Sequence, residues 1–162
     1  MKGYTITKVE KEIYEKLNFT NEICKIRLKY NNDGLKHSYF KLNDVKSLLK
    51  TIEYSYNYNG ENSHSFLLKT YNELSFKISF FIKNNGALPY FIVLKNDVFF
   101  GPTVTNLYWL LNELPYNESL LNPNFNINTL DDLKKYVLDI IELCNKFIDE
   151  YIKAIESSKI QI

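Results

Sequence analysis

Toward the C-terminus the apolar residues recur with a helical period. Leu130, Val137, Cys144 and Tyr151 form one heptad column, and Leu133, Ile140, Phe147 and Ala154 form the next. Ile141, Ile148 and Ile155 make a third. Three columns in seven give a broad core-facing side, not the narrow seam of a coiled coil. Lys135, Glu142, Asp149 and Glu156 line the opposite side. The pattern predicts one helix from Thr129 to Glu156, with Thr129 and Asp132 placed like a capping box. Such a helix is roughly 40 Å long against ~20 Å for an average strand, so it must span a whole sheet or run past it.

Other stretches alternate with the period of a strand. Leu74, Phe76, Ile78, Phe80 and Ile82 point one way, and Ser75, Lys77 and Ser79 the other. Asn84-Asn85-Gly86 turns the chain into Tyr90 to Leu94, which is apolar on both faces and reads as a central strand. Asn96-Asp97 turns it again into Val98 to Phe100. Tyr54, Tyr56 and Tyr58 also alternate, predicting a strand near 52–58, a turn at Asn59-Gly60 and a return strand near 64–71. Cys24, Ile26 and Leu28 alternate with Lys25, Arg27 and Lys29, and Asn31-Asn32-Asp33-Gly34 follows. These predict a first hairpin, Glu22 to Tyr30 returning through Leu35 to Leu42. Short helices are expected at Lys8 to Leu17, at 43–50 behind an Asn43 or Asp44 cap, and at Thr103 to Leu114 behind Gly101-Pro102. Tyr116 to Asn128 reads as a polar connection.

The fold class expected is α+β: a mostly antiparallel β-meander with helices packed on one face and a long C-terminal helix, in a single domain over 1–162. Leu138, Leu143 and Ile152 flank the core columns of that helix and leave both monomer and homodimer open.

Charge changes the picture in one place. The net charge of the chain is only +1, which argues against a bulk nucleic-acid binder. Yet residues 1–50 carry a net +5 and residues 131–156 a net −3. In the expected hairpin register Lys25, Arg27, Lys29, His37, Tyr39 and Lys41 share one face, a basic and partly aromatic patch suited to an anionic partner. No apolar run approaches a membrane span, and no signal peptide is visible. Cys24 and Cys144 sit on apolar faces and read as buried thiols in a reducing, cytoplasmic compartment.

Catalytic chemistry is thinly encoded. There is no phosphate-cradling Gly-rich loop, and two histidines and two cysteines without close spacing do not make a zinc site. In Ser63-His64-Ser65 the histidine could serve as a base for an alcohol, but a solvent-exposed histidine at a strand entry is the plainer reading. The adjacent carboxylates Asp131 and Asp132 diverge on a helix and cannot converge on a substrate. The expectation is therefore a bacterial-type, non-enzymatic protein without cofactor or metal. It would bind another protein with an acidic surface, as an immunity protein or antitoxin neutralises its target. The alternative is a nucleic-acid binder using the basic 25–41 hairpin.

Overall fold

The computed structural model describes residues 5–31, 38–100, 107–120 and 125–162. Asparagine makes the tight turns of its sheet. Asn72, Asn84 and Asn96 take positive φ of 52, 56 and 49°, and Glu61-Asn62 takes 49 and 64°. Left-handed residues at these positions let two-residue loops follow the right-handed strand twist. Each loop therefore joins neighbours: β1 (Ser55–Gly60), β2 (Ser63–Tyr71), β3 (Leu74–Lys83), β4 (Gly86–Lys95) and β5 (Val98–Phe99) form an antiparallel meander in the order β1-β2-β3-β4-β5. The first turn lies at Glu61-Asn62, two residues beyond the expected Asn59-Gly60. Gly60 instead pairs with Ser63 beside a bulge, at φ 86°, which a glycine adopts freely.

Alternation along β3 works as expected. Leu74, Phe76, Ile78, Phe80 and Ile82 are all buried, at 4 % exposure or less. They face α4 (Leu130–Glu156), which packs across the sheet on β2 and β3. Thr129 caps this helix by accepting the Asp132 N–H at 3.1 Å. All three apolar columns are turned inward, and α1 (Lys8–Lys16), α2 (Phe19–Tyr30) and α3 (Leu42–Leu49) pack against the same helix. Phe147 is the hub. Its ring stacks on Tyr14 at 4.5 Å and on Tyr151 at 5.9 Å, and meets Phe91 edge-on at 5.7 Å. Leu143 and Ile152 are buried within the chain at 6 and 7 %, so α4 keeps only Leu138 as an exposed large apolar side chain.

The N-terminal half departs from expectation. Glu22 to Tyr30 is not a strand but the body of α2, so the first hairpin is absent from the described residues, and 32–37 lie outside them. Asn18 ends α1 in the left-handed conformation, φ 50°, and opens α2 directly. Phe19, Thr20, Ile23, Cys24 and Tyr30 are then buried, which is helical spacing. α1 itself matches the expected helix and starts on a full capping box. Thr7 accepts the Glu10 N–H, and the Glu10 carboxylate accepts the Thr7 N–H at 2.9 Å. α3 begins at Leu42 after Lys41, with no side-chain cap from Asn43 or Asp44. Of the helix expected from Thr103, residues 103–106 lie outside the described residues, and Leu107–Asn112 is a 3₁₀ helix. The polar connection after it contains a short 3₁₀ turn, Glu118–Leu120, and, among its described residues, a buried anchor at Ile127. Ile127 exchanges backbone and amide hydrogen bonds with Asn85 at 2.8 and 3.0 Å.

Candidate partner-binding surface

The helix redistributes the residues expected to form a basic platform. At 100° per residue Arg27 points ~200° from Lys25, while Lys25 and Lys29 stay on one side. Both lysines are engaged: Lys25 with Glu22 at 2.8 Å, and Lys29 with Asp139 at 3.0 Å. Tyr30 donates to the same Asp139 carboxylate at 2.7 Å. Arg27 turns inward, its guanidinium 4.8 Å from the Tyr108 ring and 5.2 Å from the Phe125 ring. Beneath it Tyr108 and Tyr136 are hydrogen-bonded at 2.8 Å, and Tyr136 donates to the Ala87 carbonyl at 3.1 Å. Burial pushes the Tyr108 hydroxyl up to about 12, so this network stays neutral. Arg27 thus fastens the 3₁₀ helix and the segment around Phe125 to α2. Tyr39 and Lys41 are exposed, and His37 lies outside the described residues. The single shared face of Lys25, Arg27, Lys29, His37, Tyr39 and Lys41 is therefore corrected: Arg27 parts from Lys25 and Lys29 on the helix.

His64 also departs from expectation. It is fully buried, not a solvent-exposed histidine. It faces the core side of β2 between Tyr56 and Tyr58, and its Nδ1 lies 2.9 Å from the Tyr56 hydroxyl. Nε2 has no partner. Burial, reinforced by the Lys46 ammonium, lowers its pKa to about 4. Lys46 itself rests 4.6 Å over the Tyr58 ring. A neutral imidazole with no route to solvent braces the β1–α3 corner and is poorly placed to serve a substrate. Tyr54, Tyr56 and Tyr58 are half-buried, as expected of core-edge tyrosines.

The opposite face of the sheet is different. The register places Asn57, Ser65, Ser79 and Tyr90 in one cross-strand row and Ser55, Leu67, Lys77 and Ile92 in the next. Leu94 then pairs with Phe99, and Phe81 with Leu88. The described helices lie on the other side, and this outer face is partly exposed, with Ser79 buried in its floor. Leu88 is 38 % exposed and Phe99 69 %. The face forms a shallow trough of about 460 Å³, lined by Ser65, Lys77 and Ser79, by Ile92, Leu94 and Phe99, and at one end by Asp97. Polar residues cluster on β1 and β2, apolar ones on β4 and β5. Lys77 stands where they meet, half-buried between Leu67 and Ile92, and makes no ion pair among the described residues.

Among the described residues no three His, Cys, Asp or Glu side chains gather to hold a metal. Cys24 and Cys144 are buried and free, with burial raising both thiols. No described helix is long and apolar enough to cross a membrane. The chain matches no protein-family model, no curated protein and no solved structure. Sequence reasoning missed the outer face because it took Tyr90 to Leu94, apolar on both sides, for a buried central strand. The usable signal was the polar alternation of β3, whose Ser75, Lys77 and Ser79 require an open side next door.

Proposed function

We propose that this chain is a binding module without catalytic chemistry, which engages another protein through the outer face of its sheet. The observation that carries this reading is the partly exposed apolar strip of Leu88, Tyr90, Ile92, Leu94 and Phe99 beside Lys77. Contiguous apolar surface rimmed by polar groups is the usual mark of an interaction site. A half-buried lysine with no ion pair among the described residues suits a partner that brings a carboxylate among apolar residues. An acidic partner surface of this kind is what an inhibitor of immunity or antitoxin type would neutralise. The nucleic-acid alternative would need a continuous basic track, and Lys25 and Lys29 are already paired while Arg27 is held under two rings.

The test compares two surface variants for capture and titration of the bound protein. K77E with I92E removes the outer-face contacts, and K25E with K29E reverses the α2 charges. Loss of binding by at least tenfold in the first, with the second unchanged, supports the outer face. The reverse pattern returns the site to α2. Oligonucleotide binding that falls steeply with salt would replace the protein-partner reading.

A further inference from the structure

The two edges of the sheet are finished differently. On one side β4 carries Pro89, and the two-residue β5 covers only its Leu94–Lys95 end. Proline and a very short edge strand both discourage further pairing. On the other side β1 is Ser-Tyr-Asn-Tyr-Asn-Gly, with neither proline nor charge. No described strand pairs with its outer side.

Which groups this edge offers follows from the ladder. The Asn62 carbonyl accepts the Ile82 N–H at 2.9 Å, so from Ser63 to Leu67, before the bulge in β2, even-numbered residues turn their backbone to β3 and odd-numbered ones to β1. Ser65 and Leu67 therefore bond Asn57 and Ser55. The N–H and C=O groups of Tyr56 and Tyr58 therefore point away from the sheet, and Tyr54 stands just before the strand. The Tyr54 N–H is already taken by Ile52 at 2.8 Å.

We propose that β1 is the seam of a homodimer in which the same strand of a second copy adds antiparallel across a twofold axis through Tyr56. Tyr56 then faces its own counterpart, Tyr54 faces Tyr58, and Ser55 faces Asn57. The pairing makes two bonds between the Tyr56 residues and two from Tyr58 N–H to Tyr54 C=O. Charge selects this register and a second copy as the occupant. Between Tyr54 and Gly60 the strand has no charge to repel itself, and Glu53 falls opposite Asn59. A twofold through Asn57 would set Glu53 against Glu61, and one through Ser55 would run out into buried Ile52. The outer face stays open on both copies, so the dimer is independent of what docks there.

Sedimentation over a concentration series tests the seam, with circular dichroism confirming that each variant folds. Ser55 and Asn57 are exposed on the outer face, so S55K/N57K should keep the fold. It sets lysine opposite lysine twice and should weaken the dimer roughly tenfold or more. S55E/N57K sets glutamate opposite lysine in the Tyr56-centred register alone and should restore it. A wild-type chain that is monomeric throughout, a dimer indifferent to S55K/N57K, or loss of the dimer in both variants overturns the proposal.

Discussion

Acid should loosen the β1–α3 corner through one residue, His64. Its imidazole has no exposed surface, a single hydrogen bond to Tyr56 and an ammonium nearby on Lys46. Protonation would place a second cation in that space, which is why the folded pKa is held at about 4. In the unfolded chain the same ring titrates near 6.5. The unfolded state therefore takes up the proton first as pH falls, and the native state loses stability between those two values. The contribution is fully present above the unfolded pKa. From about pH 7 to about pH 4.5 the loss should be about 2 kcal/mol. Carboxylates titrate in the same window, so the measurement is a difference. Urea denaturation of wild type and H64Q is followed by circular dichroism at several pH values. Glutamine can still accept from Tyr56 but does not titrate. The gap between the two stabilities should narrow by that amount as pH falls. Parallel curves over this range would show that His64 is not buried as a neutral ring.

Three further outcomes are expected. Phe147→Ala should cost about 3–5 kcal/mol in urea unfolding, because the ring is buried against Tyr14, Phe91 and Tyr151; a loss below ~1 kcal/mol would contradict that packing. Arg27→Lys should lose the flat stacking on Tyr108 and Phe125, seen as faster hydrogen exchange at 107–114, whereas exchange equal to wild type would deny Arg27 its fastening role. Thr7→Ala should cost about 1 kcal/mol by removing half of the capping box on α1, and a thermal midpoint equal to wild type would argue against the cap.

How much of this was legible depended on which periodicity was unambiguous. The helix from Leu130 and the strand from Leu74 each have a long run with only one matching period, and both formed as read. Residues 22–30 satisfy two periods at once. Cys24, Ile26 and Leu28 alternate like a strand, but Phe19, Thr20, Ile23, Cys24 and Tyr30 lie on one side of a helix. The strand reading began at Glu22 and so left Phe19 and Thr20 out of the count. Left-handed Asn18, which lets α2 follow α1 without a linker, carries no local signal beyond its residue type. His64 was misplaced for a related reason. Its serine neighbours made the segment look polar, yet both lie on the outer side of β2 while His64 faces inward.

These errors share a cause that bears on function. Charged residues were expected to be available wherever they were numerous, and an apolar strand was expected to be covered. Local geometry reverses both. On α2 the cations are near carboxylates and aromatic rings, so Lys25 and Lys29 form ion pairs and Arg27 goes inside. On β4 the residues 87, 89, 91 and 93 fill the core, while Leu88, Tyr90, Ile92 and Leu94 are left on a face that the described helices do not cover. An antiparallel sheet with one solvated side normally carries polar residues there, and β1 and β2 do. The departure is concentrated on β4 and β5, with Phe81 of β3 and Leu67 of β2 beside them, next to one lysine without a counter-ion among the described residues. Apolar exposure localised in this way is the observation on which the proposed partner surface rests.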